Sequence, residues 1–181
     1  MVAVSPNQIS FVVPPTVAPG TAQVSITTPT GTQTASNVEI STVAPGLLAV
    51  NGSQLAAAVA IQVSGGTQTA QPVYTTDSNG AIVPSPVTIG TGSSSTYLAL
   101  FGTGIAGGGT ALTTVTVNGL PATVTYAGPS GPGTGIDQVN VLLPAKLAGA
   151  GNVNVQLTSE ASLTSNPGGG FLANQVQITV K

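Results

Sequence analysis

Apolar residues recur at every second position along short runs, and clusters of Gly, Pro, Asn and Thr separate the runs. This period matches a strand with one buried face, and strands broken by turns at short intervals predict an all-β sandwich or barrel. Val and Thr abound, and both fit a pleated surface. Near the N-terminus "NQISFVVPP" (Asn7 to Pro15) alternates Ile9, Phe11 and Val13 with Gln8, Ser10 and Val12, which predicts a strand ended by two prolines. "TTVTVNGLPATVTYAG" (Thr113 to Gly128) predicts a hairpin. Asn118-Gly119 supplies the two positive-φ residues of a type I′ turn, and Pro121 falls opposite Thr116, where its missing N–H is not needed. "LAAAVAI" (Leu55 to Ile61) does not alternate and reads as one helical turn or a buried strand. "PAKLAG" (Pro144 to Gly149) reads as a short 3₁₀ turn. Further strands are expected at Ala57–Val63, Pro72–Thr75, Ala81–Val83 and Val87–Ile89.

The pattern repeats. "NQISFVVPPTVA" (Asn7–Ala18) matches "DQVNVLLPAKLA" (Asp137–Ala148), "VSIT" (Val24–Thr27) matches "VQLT" (Val155–Thr158), and "NVEIS" (Asn37–Ser41) matches "QVQIT" (Gln175–Thr179). The second copy carries an inserted loop with Asn166-Pro167-Gly168-Gly169-Gly170, which should be exposed and mobile. "TYLALFGTGI" and the Asn-Gly hairpin precede copy two, whereas only Met1–Pro6 precede copy one. The expected organisation is therefore two immunoglobulin-like lobes, the first lacking its N-terminal strands. Residues 1–52 form an incomplete half-repeat, 53–95 a connecting β segment able to complete it, and 96–181 a second full domain. Either residues 53–95 or a neighbouring subunit must supply what copy one lacks.

Composition sharpens this picture at one point. The 181 residues include two basic and four acidic side chains, so 3% of the chain is charged, against about 25% in ordinary domains. Hydrophobic residues are 41% and mean hydropathy is positive, so the low charge is not the mark of a disordered chain. An uncharged surface of Ser, Thr, Asn and Gln repels its neighbours weakly and favours association. Two lysines cannot neutralise a phosphate backbone, which argues against nucleic acid as a partner. With no Cys and no His there is no disulfide, no thiolate or imidazole metal site, and no Ser-His or Cys-His nucleophile pair. No apolar run is long enough for a membrane-spanning helix. The first residues show no signal-peptide pattern.

Candidate chemistry is sparse. "GTGIAGGG" (Gly102–Gly109) contains G-x-G-x-x-G, but a strand and hairpin follow where a dinucleotide site needs a helix and an acid. A flexible inter-strand loop is the better reading. "DSNG" (Asp77–Gly80) has one carboxylate where calcium needs several, so it reads as a turn. A glycosidase pair is formally available from any two of the four acids, Asp137 and Glu160 for instance, and nothing local supports one. Asp137 opens a strand and is better read as a turn-side hydrogen-bond acceptor. Asn51-Gly52-Ser53 is a glycosylation sequon. No cofactor and no catalytic residue is expected.

"TVAPGLLAVNGS" (Thr42–Ser53), "YLALFGTGI" (Tyr97–Ile105), "VNGLPATVTYAG" (Val117–Gly128) and "GIDQVNVLLP" (Gly135–Pro144) together resemble the Solibacter-type uncharacterised C-terminal domain of acidobacterial secreted and surface proteins. The resemblance covers nearly the whole chain. It implies an immunoglobulin-like sandwich in an extracellular setting and no activity. The expected function is a non-enzymatic extracellular subunit that assembles with copies of itself, head to tail, into a surface filament or matrix. Ile9, Phe11 and Val13 are the candidate subunit contact, against an ordinary core strand within the chain; Asn51 is a candidate sugar site, against a plain Asn-Gly turn; and glycans are a candidate further partner class. The alternative is a cell-surface adhesin or carbohydrate-binding module at the end of a larger secreted protein.

Overall fold

The computed structural model describes residues 3–14, 16–160 and 170–181, with the side chains of 34–36 left aside. The chain is almost wholly β and divides into two compact units, Met1–Thr42 and Val43–Lys181.

The first unit holds four strands: β1 (Ala3–Ser5), β2 (Gln8–Ser10), β3 (Gly20–Thr28) and β4 (Gly31–Ile40). β1 pairs with β2, and β3 pairs with β4, as two separate antiparallel hairpins. The strand expected through Val13 stops at Ser10, and Phe11 and Val13 lie beyond it. Three residues of β1 pair with three of β2. No described side chain of this unit is fully buried. Two-stranded sheets without a cover are marginal in water.

The second unit is β-sandwich-like. In chain order it contains β5 (Gly46–Leu47), β6 (Ala58–Ser64), β7 (Thr67–Pro72), β8 (Tyr74–Thr76), β9 (Ile82–Pro84), β10 (Ser95–Thr103), β11 (Thr113–Val117), β12 (Leu120–Pro129), β13 (Asp137–Leu142), a 3₁₀ turn (Ala145–Leu147), β14 (Gly151–Ser159), β15 (Phe171–Leu172) and β16 (Val176–Val180). One layer runs β7-β6-β10-β13-β12, and β5 adds a short pairing at the end of β10. The other layer is β11-β14, with β15 and β16 along the far side of β14. β12 joins both layers. Leu120–Ala122 pair with β11, and Thr123–Pro129 pair with β13, with a bulge inside that second part between Val124 and Tyr126. A bulge bends a strand and raises its local twist.

The core lies between the layers. Leu98, Leu100, Val139 and Val141 belong to the same buried cluster as Val153, Val155, Leu157 and Ile178. Each such side chain contributes roughly 1.5–3 kcal/mol of burial. Asn118 and Gly119 take φ 52 and 75, the turn their sequence predicts, and Pro121 faces Thr116. "LAAAVAI" resolves as β strand: β6 pairs with β10 on one side and β7 on the other. The unit boundary thus falls between Thr42 and Val43 rather than at residue 52. Residues 53–95 supply strands to the layer that holds β10. Val43 is fully buried and the Ala44 N–H donates to the Gly104 carbonyl at 2.8 Å, which ties this segment to the second unit.

Candidate functional site

Two of the acids, Asp137 and Asp77, hold turns. Asp137 is 8% exposed, and one carboxylate oxygen accepts the N–H groups of Ile105 (2.7 Å) and Ala106 (3.0 Å). The glycine loop after β10 is therefore pinned to the start of β13, and its Gly-x-Gly pattern serves that turn. At Gly104, with φ +68, an added Cβ would collide with the Ala44 carbonyl. Asp77 accepts the N–H groups of Asn79 and Ala81 (2.9 Å each) and closes the Asp77–Gly80 turn. Glu160 is exposed. Among the described residues, no group of three or more Asp, Glu, His or Cys side chains could hold a metal ion. A cavity of about 380 Å³ is lined in part by Thr91, Ser94, Thr123, Leu143 and Pro144, and its lining carries no charged side chain.

Asn51 is exposed in a turn with φ 47. The Ser53 hydroxyl donates to the Val50 carbonyl (2.6 Å) and accepts the Leu55 N–H (3.0 Å). The sequon is thus one closed loop. Ile9 is half-buried on β2 opposite Val4, while Phe11 and Val13 are 50% and 46% exposed outside any strand. Asn166–Gly169 of the inserted loop lie outside the described residues.

The feature that stands out is the hairpin β3–β4. Its first four pairs reproduce those of β14–β16, before a bulge between Gln23 and Ser25. Gly20 faces Ile40 as Gly151 faces Val180, and Ala22 faces Val38 as Val153 faces Ile178. On the opposite face Thr21 and Gln23 bond to Glu39 and Asn37, as Thr179 and Gln177 bond to Asn152 and Asn154. Ile40 therefore stands where Val180 stands, one strand period beyond the match suggested by "NVEIS" and "QVQIT". A shift of two residues keeps every side chain on its own face, so sequence similarity alone does not fix it.

The surroundings of the two hairpins differ. Val153, Val155, Leu157, Val176, Ile178 and Val180 are all at most 2% exposed. Their counterparts Ala22, Val24, Val38 and Ile40 are only half-buried, and Ile26 is 38% exposed. β14 also has β11 on its other edge, and the outer edge of β16 is bridged by residues 54–56 and by Val87. Among the described residues β3 pairs with no strand other than β4. The sequence does signal this hairpin, as the copy of a buried one. Of the candidate subunit contact Ile9, Phe11 and Val13, only Ile9 lies in a strand.

No known protein family, characterised protein or solved structure matches the chain. No helix among the described residues is long and apolar enough to cross a membrane.

Proposed function

We propose that this chain is a non-enzymatic structural subunit that assembles with copies of itself, in the extracellular or cell-surface setting that its sequence resemblance implies. One observation carries the reading. The first four pairs of the β3–β4 hairpin repeat the register of a hairpin that is buried in the same chain, yet its apolar side chains Ala22, Val24, Val38 and Ile40 are only half-buried and Ile26 is 38% exposed. Exposed apolar patches rimmed by polar residues mark interaction surfaces. The face has no charged residue to oppose association, and the chain as a whole has a formal charge of −2. Donor hairpin and acceptor surface would differ, so the contact is heterologous, and a heterologous contact that does not close on itself builds a filament.

The test is the mass and shape of the purified chain. Electron microscopy and light scattering across a concentration series should show polymers. A monodisperse monomer at every concentration would sink the proposal.

A further inference from the structure

We infer that the acceptor for the β3–β4 hairpin is the outer face of the β6–β10 sheet on a second copy of the chain. This rests on the self-assembly reading above and adds the surface that receives the hairpin.

An antiparallel sheet that covers a core on one side usually shows polar residues on the other. The β11–β14–β16 layer follows that rule: Thr114, Asn152, Asn154, Gln156, Gln177 and Thr179 point away from the core. The β6–β10 layer breaks it. Leu98 and Leu100 of β10 and Ala60 of β6 face the core cluster. The residues between them are also apolar: Val59, Ile61 and Val63 on β6, and Tyr97, Ala99 and Phe101 on β10. Directly opposed residues in an antiparallel pair share a face. Ile61 opposes Tyr97 and Val59 opposes Ala99, so these side chains form one continuous patch. The patch extends to Ala70 beside Ile61 and to Leu142 beside Tyr97, and it ends at Gln68, Gln138 and Asn140, which oppose Val63, Phe101 and Ala99. Ala99 is 5% exposed yet lies outside the core cluster, and the other five are half-buried and also outside it. This is a second apolar surface on the reverse of the sheet.

Three observations favour the hairpin of another copy as its occupant. First, the contact already has a template in the chain. The hairpin β14–β16, whose first four pairs β3–β4 reproduces, packs its apolar face on the inner side of this same layer. Second, both surfaces are strand faces of alternating apolar residues, the arrangement that interdigitates in sheet-on-sheet packing. Third, neither face carries a charge. Glu39, the hairpin's only charged residue, bonds to Thr21 on the opposite side. Joining the two faces therefore desolvates no ion.

The chain has no cysteine, so introduced thiols report without background. The double variant Val24→Cys/Ile61→Cys, oxidised mildly at concentrations where the wild type assembles, should run as a covalent ladder on a denaturing gel. A linked monomer would overturn the inference, because the hairpin would then cover its own chain. Dimers formed by Val24→Cys alone would overturn it in favour of hairpin-on-hairpin packing, and no linkage in any variant would also overturn it. In parallel, Ile61→Lys should retain the unfolding transition of the second unit and weaken association at least about tenfold, since it buries an unpaired charge. Folded Ile61→Lys that assembles like wild type would overturn the acceptor face and leave the self-assembly reading standing. A wild type that never assembles would remove both. Should Ile61→Lys not fold, Val63→Lys at the end of the same row takes its place, with the same two outcomes.

Discussion

Asp137 shows how a charge in this nearly uncharged chain is used. Its carboxylate satisfies two N–H groups at the turn after β10 and has no cationic partner. Hydrogen bonds to charged groups contribute about 1.5–3 kcal/mol, and a buried donor left unsatisfied costs about 1–3 kcal/mol. Asp137→Ala should therefore destabilise the second unit by about 2–4 kcal/mol in a denaturant titration. A loss below about 0.5 kcal/mol would mean that the loop satisfies its N–H groups elsewhere. Gly104 makes a second, steric prediction. Gly104→Ala places a Cβ against the Ala44 carbonyl in a backbone conformation that favours glycine, so it should lower the melting temperature sharply. Gly109→Ala, also at positive φ but with open space around it, should cost less.

At the scale of elements, the matched hairpins allow a controlled comparison. Val155→Ala removes a fully buried side chain and should cost about 2 kcal/mol of the second unit's stability. Val24→Ala, at the corresponding half-buried place in β3, lies in the other unit and should change that same transition by less than about 0.5 kcal/mol. Equal losses would contradict the difference in cover on which the account rests. Much of this level was legible in sequence. The Asn118-Gly119 turn, the strands β10 to β14 and the 3₁₀ turn at Ala145–Leu147 each have local signals, a turn dipeptide or a two-residue period. Phe11 and Val13 were not legible, because pattern marks a face but not whether neighbours exist to extend a strand. The same alternation in β13 is paired through Leu142 because β10 and β12 flank it. The ambiguity of "LAAAVAI" has its own cause. A run apolar on both faces does not alternate, and "YLALF" in β10 shares that trait. That missing alternation was the sequence trace of the outer apolar face.

At the scale of the molecule, the second unit holds the fully buried core and the first unit holds none among the described residues. Residues 43–181 expressed alone should unfold cooperatively with nearly the midpoint of the full chain's main transition. A large drop in that midpoint would show that residues 1–42 stabilise it within one chain. The proposed self-assembly through uncharged sheet faces also implies a salt response. Screening weakens contacts between exposed charges and leaves apolar burial intact, and kosmotropic salts strengthen it. The most direct test is light scattering of the full chain at neutral pH, in low salt and in 1 M sodium chloride. The account predicts polymers in both, with no loss of mass at high salt. A monomer in both, or polymers that dissolve at high salt, would contradict it.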